Sequence, residues 1–433
     1  MKKIFKNKKL LKSCSIAQML LSQERKKHLS FHTPGHKQKG WDITELSYSD
    51  NLSCPSGCIA QAEKDIADLL GAERSFLLTD GSTSGVLAML YAAKMLNVQK
   101  LAVCADTHKS FFNGCLLLGI TPLVYDGKRV KNIPRPRSFR ELTAEYAEIL
   151  SEADGLFLTS PDYYGNVADL AAIRSFCDEK KKLLLIDGAH GAHLRFDQKI
   201  YAGAYADFWV DGAHKCLPTF TQGAVVSAKT AVFAEALQKG VDIFRTTSPS
   251  YPIMASVEYG VKCPQNVALE NAVSGFAQSS ERIYFGGDWT KLVALFGENA
   301  YKAERFFIKQ GVYPEFCDGN VVMFYFSAAT TIREWKKLKT LLLRAFTLFP
   351  YTEKKIPAKE KVEMSGETEW VLASEAVGRI CAVACGLFPP CTPLLSVGEK
   401  ITEEKISILQ GASNVFGVCG QERKICVFQV VNQ

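Results

Sequence analysis

Short apolar runs at Leu101–Val103, Leu156–Leu158, Leu183–Ile186, Phe208–Val210 and Ala224–Val226 alternate with longer stretches of helical period such as Gly85–Met95 and Asp169–Lys180. The runs are too short for buried helices and are bounded by polar or glycine positions, so they predict buried strands. Strands that alternate with helices predict an α/β fold with a mainly parallel sheet. Such sheets collect chemistry at the carboxyl ends of their strands. The pattern shifts near Gly286-Gly287, and a stretch rich in Pro, Lys and Glu follows at Lys354–Lys361. These breaks predict an N-terminal segment (1–40), a large domain (41–285) and a smaller α+β C-terminal domain (286–433). No internal repeat is evident.

Two of the apolar runs stop on reactive side chains. Leu183–Ile186 ends on Asp187-Gly188-Ala189-His190-Gly191, and Phe208-Trp209-Val210 leads through Asp211-Gly212-Ala213 to His214-Lys215-Cys216. Neighbouring strand ends of this kind offer a lysine and a carboxylate to one cleft. That pair is what pyridoxal phosphate requires: an amine to hold the aldehyde as a Schiff base, and an anion to keep the ring nitrogen protonated as an electron sink. Upstream, Gly81-Ser82-Thr83-Ser84-Gly85 precedes a helical run. Hydroxyls and unpaired amides at a helix start suit an anion, although the same residues also serve as ordinary N-caps. No G-x-x-x-x-G-K-[ST] loop and no strand-borne G-x-G-x-x-G is present, which removes the main support for nucleotide or dinucleotide binding. Asp187, His190 and His193 have the spacing D-x-x-H-x-x-H, but no further ligands stand out and a metal would leave the lysine motif unexplained, so no metal is expected.

Composition narrows the class further. With 433 residues, 47% of them hydrophobic, the chain can bury a substantial core. No apolar stretch has the length of a membrane span, and a net charge of +7 is modest for this length, so neither membrane nor nucleic acid is an expected partner. The first twelve residues include Lys2, Lys3, Lys6, Lys8, Lys9 and Lys12 without a following apolar signal core, which reads as a solvated, partly frayed helix in a cytoplasmic protein. The 14 cysteines include Cys54 with Cys58 and Cys381 with Cys385, neither pair with C-x-x-C spacing. Most other cysteines lie in apolar runs and are expected to be reduced. Cys216 stands out because it adjoins Lys215.

Several longer motifs resemble one family, the ornithine/lysine/arginine decarboxylases of the aspartate-aminotransferase fold. They are Phe31-His32-Thr33-Pro34-Gly35-His36-Lys37-Gln38, Leu78–Gly85, His108-Lys109-Ser110, Ser160-Pro161-Asp162-Tyr163-Tyr164-Gly165, the Asp187 and Lys215 motifs, Thr246–Tyr251, Gly378-Arg379-Ile380 and Phe388–Pro393. The resemblance is to the short form, without an N-terminal regulatory domain. It implies a fold type I, pyridoxal-phosphate-dependent transferase-like large domain and decarboxylation of lysine, arginine or ornithine toward cadaverine or polyamines. It also implies Lys215 as the Schiff-base lysine, Asp187 on the ring nitrogen, Ser82 and Thr83 on the phosphate, and His108 stacked on the ring, with His190 and His214 near the cofactor. A homodimer is implied as well, with Thr246, Thr247, Ser248 and Tyr251 reaching toward the substrate or the partner's site. Departures include Gly212, where the family usually has a phosphate-binding serine, Cys391-Thr392 for Gly-Ile, Val397 for Pro, and Val383 near an often acidic position. They leave open transamination, or a degenerate homologue that only binds, as alternatives.

Overall fold

The computed structural model describes residues 5–24, 26, 29–37, 40–353, 367–387, 393–395, 397–412 and 414–429. Gln38, Lys2 and Lys3, the Lys354–Lys361 stretch, and Phe388 to Thr392 of the C-terminal motif lie outside the described residues.

A seven-stranded sheet forms the centre of the large part. Its strands are β1 (Arg74–Leu78), β2 (Lys100–Cys104), β3 (Thr121–Tyr125), β4 (Gly155–Thr159), β5 (Leu183–Gly188), β6 (Phe208–Asp211) and β7 (Ala224–Ala228). They lie in the order β1-β7-β6-β5-β4-β2-β3. Pairing is parallel from β6 to β3, whereas β7 runs antiparallel to both β6 and β1. Alternate side chains along each strand enter separate cores, as the pleat requires. Leu184, Ile186 and Trp209 join a core on one face, whereas Leu185, Phe208 and Val210 join the core beneath helices Ser82–Met95 and Ala231–Phe244 on the other. This double burial explains why the runs read as continuous apolar segments rather than alternating ones. All five expected apolar runs lie in strands of this sheet. Pro122 sits in β3 at the sheet's edge, where a missing N–H is tolerated.

Beyond the large sheet, strands Ile283–Tyr284, Lys291–Leu295, Phe316–Cys317 and Val321–Tyr325 form a four-stranded antiparallel sheet. Helices Val267–Ser279, Ala300–Lys309 and Ile332–Leu348 pack a shared core with it. The first of these helices, assigned to the large domain by the expected division at 285/286, therefore contributes its buried face to the C-terminal core. Strands Thr368–Val371, Val418–Cys419 and Lys424–Phe428 form a third sheet. Tyr163 and Tyr164, just beyond β4, pack with Val293, Phe316 and Met323. That joint sets the C-terminal sheet against the strand ends where the reactive side chains lie.

Candidate active site

The carboxyl ends of β2, β4, β5 and β6 open onto a cavity of about 580 Å³, within the range of small-molecule sites. Ser82, Thr83, His108, Asp187, His190, His214 and Lys215 all line it. The fold brings these residues together from four separate segments. Asp187 occupies the next-to-last position of β5, and His190 follows in the turn beyond it. His214 and Lys215 lie in the single helical turn Ala213–Cys216 that follows β6. His108 precedes helix Lys109–Leu118, and Ser82 starts helix Ser82–Met95.

Lys215 Nζ lies 3.1 Å from Nε2 of His190. Burial, followed by the charges of Lys215 and Lys291, pushes the His190 imidazole well below its usual range, so the neutral ring accepts from the lysine. Its Nδ1 then carries the proton and has no partner. Burial also lowers His108 and His214. His108 Nδ1 accepts from the Ser110 amide at 3.2 Å, so this histidine caps its helix and lines the cavity at once. His214 Nδ1 donates to the Gly223 carbonyl at 3.1 Å. The lysine thus stands among three neutral imidazoles, a setting in which proton transfer needs little reorganisation. Asp187 is 4% exposed and accepts from the Ala189 amide at 3.0 Å.

The cavity also contains polar groups with no protein partner. The hydroxyls of Ser82, Thr107 and Thr159 are buried and unpaired, as is His190 Nδ1. Helix Ser82–Met95 begins at Gly81 without a side-chain cap, leaving its first amides directed at this space. Buried polar atoms that lack partners cost about 1–3 kcal/mol each. Their convergence fits a polar, anionic guest such as the phosphate and hydroxypyridine of pyridoxal phosphate.

At Gly212 an added Cβ would lie 2.3 Å from the Ala189 carbonyl oxygen and 2.9 Å from Ser82 Oγ. The space that a serine would need is closed here, and Ser82 presents its hydroxyl beside it. Asp187, His190 and His193 do not converge on a common point, because His193 turns away to Asp288 at 2.7 Å. Among the described residues no group of three His, Cys, Asp or Glu side chains is arranged to hold a metal ion.

Tyr251 lies in the core of the large part rather than along the cavity. Its side chain is 0% exposed, and its hydroxyl donates to the Asp50 carbonyl and lies 3.3 Å from Ser49 Oγ. Thr246, Thr247 and Ser248 do not line the cavity; the Thr246 amide donates to Asp80 at 3.0 Å, whereas Thr247 and Ser248 are exposed. Conversely, Thr107, Thr159, Tyr163, Glu315 and Tyr325 line the cavity although the sequence assigned them no role. Tyr163 had a signal in its motif, whereas Glu315 and Tyr325 come from the C-terminal sheet region and had none.

Comparison with known proteins agrees with this geometry. The family profile for the Orn/Lys/Arg decarboxylase major domain matches residues 40–283. This chain belongs to the Orn/Lys/Arg decarboxylase family. The family comprises pyridoxal-phosphate-dependent decarboxylases, and the cavity carries the groups that such a cofactor needs. The chain is 27% identical over 446 residues to the uncharacterised protein YaaO of Bacillus subtilis, covering 90% of this chain and 92% of that one. It is 24% identical over 452 residues to arginine decarboxylase of the same organism, covering 89% and 91%. The structure of Escherichia coli constitutive lysine decarboxylase superposes with a TM-score of 0.69 at 18% identity, over 96% of this chain and 81% of that one, and the shared architecture is fold type I. No described helix is long and apolar enough to cross a membrane.

Proposed function

We propose that this decarboxylase acts on a basic amino acid, lysine, arginine or ornithine, releasing carbon dioxide and the corresponding amine. The observation that carries the reading is the opening of Lys215 Nζ and the Asp187 carboxyl into one cavity, beside unpaired hydroxyls and an uncapped helix start. In this reading Lys215 holds the cofactor, Asp187 pairs with the ring nitrogen, and His108 covers the ring. Ser82 and Thr83, with the amides behind them, take the phosphate. Bound there, pyridoxal phosphate supplies an electron sink for the pair left behind by carbon dioxide. The protein's own groups orient the substrate and manage protons. His190 Nε2 accepts from Lys215, and Lys215 or His214 returns a proton to the α-carbon. Relatives named arginine decarboxylase make arginine the first substrate to test.

The decisive assay supplies each basic amino acid with cofactor and measures carbon dioxide, amine and keto acid together. Carbon dioxide with amine is expected; keto acid would instead indicate transamination, and cofactor binding without turnover would sink the enzymatic reading. Borohydride reduction and peptide mapping should place the cofactor on Lys215, and an adduct on Lys109 or Lys37 would overturn that assignment. The proposal includes a homodimer in which Thr246, Thr247 and Ser248 approach the partner's site. Mixing Lys215→Ala chains with chains altered at Thr247 and Ser248 should restore part of the activity, and confirmed subunit exchange without recovery rejects this sharing.

A further inference from the structure

Behind the cofactor lysine lies a buried charged network that the decarboxylation reading does not use. Asp288, 0% exposed, accepts from two cations: His193 Nε2 lies 2.7 Å from one carboxylate oxygen, and Lys291 Nζ lies 2.9 Å from the other. Thr290 adds its amide at 2.9 Å and its hydroxyl at 2.7 Å, and that hydroxyl also accepts from Lys291 at 2.7 Å. Lys291 is 1% exposed, with its ammonium 4.7 Å from the centre of the Tyr325 ring. Two enclosed cations share one carboxylate, so the network carries an excess positive charge in a region with little water to screen it.

Its location gives that charge a target. His193 follows β5 by five residues and comes from the large part, whereas Asp288, Thr290 and Lys291 enter the C-terminal sheet. Lys291 Nζ approaches the His190 carbonyl at 3.5 Å, and His190 in turn holds Lys215. On the other side the buried thiol of Cys216, the residue after Lys215, lies close enough to His193 to favour its charged form. The network therefore reaches the residue that holds the Lys215 ammonium and lies beside the one that follows Lys215 in sequence. Gly165, with φ +84°, leaves no room for a side chain above Lys291: an added Cβ would lie 2.8 Å from Lys291 Cβ.

We propose that Asp288, His193 and Lys291 are positioning residues that hold His190 against Lys215 and control how readily the Lys215 nitrogen, bare or joined to the cofactor, retains a proton. The inference rests on the reading of Lys215 as the cofactor lysine. Other charged or titratable groups face Lys215 as well: Asp187 on β5, His190 beyond it, His108 before its helix, His214 beside it, and Glu315 from the C-terminal region. These remain in place when Lys291 or His193 is changed, which isolates the network's share.

The test is a pH titration of the near-ultraviolet and visible absorbance of the cofactor-loaded protein, a reading independent of turnover. Removing a nearby positive charge favours the protonated nitrogen, so Lys291→Met should move the midpoint upward. A shift of about one pH unit is expected, the size for one elementary charge at roughly 10 Å in a medium of effective dielectric about 20. His193→Gln should move it in the same direction, and Lys291→Arg, which keeps the charge, should leave it near the wild-type position. Should Lys291→Met fail to fold, His193→Gln alone carries the expectation. Unmoved midpoints in folded variants that lack the charge overturn the inference. Absence of any borohydride-trapped adduct on Lys215 would instead reject the underlying assignment of the cofactor lysine.

Discussion

At the scale of single residues, Asp187 and Gly212 have opposite reasons for their identity. In the proposed site Asp187 supplies charge: replacing it with Asn keeps the shape and the Ala189 contact but removes the carboxylate proposed to balance a protonated ring nitrogen. Turnover should fall roughly 10²- to 10³-fold, in line with the loss of one preorganised electrostatic partner, while cofactor absorbance persists. Steady-state kinetics beside a cofactor titration separates the two effects. Gly212 supplies space. A serine there resembles the family pattern, yet its Cβ would meet the Ala189 carbonyl at 2.3 Å and compete with the Ser82 hydroxyl. Gly212→Ser should therefore cost about 1–3 kcal/mol of stability and should not tighten cofactor binding. Thermal unfolding with a cofactor titration checks both parts, and tighter binding in a fully stable variant would show that the backbone yields there.

Among the elements, close helix packing fixes where the uncapped helix start points. Helices Ser82–Met95 and Ala231–Phe244 lie side by side, and an added Cβ at Gly240 would come within 2.4 Å of the Ala88 carbonyl oxygen. Alanine gains about 0.5–1 kcal/mol over glycine in a helix interior, but a clash with rigid backbone typically costs 1–3 kcal/mol. Gly240→Ala should consequently lower the melting temperature and weaken cofactor retention as the Ser82 end shifts; a stabilised variant would contradict the packing argument. This contact also marks the limit of what the chain's pattern discloses. The strands and the Asp187 and Lys215 ends were legible because parallel strands buried on both faces leave unbroken apolar runs in the sequence. In the sequence Gly240 is only a glycine within a helical run, and Lys291 only a charge at the start of an apolar one. Their meaning depends on neighbours 101 to 152 positions away, Lys291 beside His190 and Gly240 against Ala88, which no local period encodes. The burial of Tyr251 is another such case, since its motif carries no sign of the core around it.

For the molecule as a whole, the Asp288 network couples the two large parts of the chain to pH. Burial works against the His193 charge, but Asp288 outweighs it and raises the imidazole to about 9, above its ordinary value of 6.5. Burial likewise opposes ionisation of Asp288, yet His193 and Lys291 hold its carboxyl well below the usual range. The signs then define a window. A raised histidine contributes stability fully below about 6.5 and loses it as pH rises through about 9. A depressed carboxylate contributes above its unfolded value near 3.8 and loses it as pH falls further. This joint should be strongest at mildly acidic pH, weakening by roughly 3 kcal/mol toward pH 10 if His193 alone governs the alkaline side. His193→Gln should flatten the decline in melting temperature between pH 6.5 and 10, although it lowers stability at pH 6. Thermal unfolding of both proteins across that range provides the check: parallel curves would mean that the alkaline loss arises elsewhere, whereas converging curves locate it at the joint between the strand ends and the C-terminal sheet.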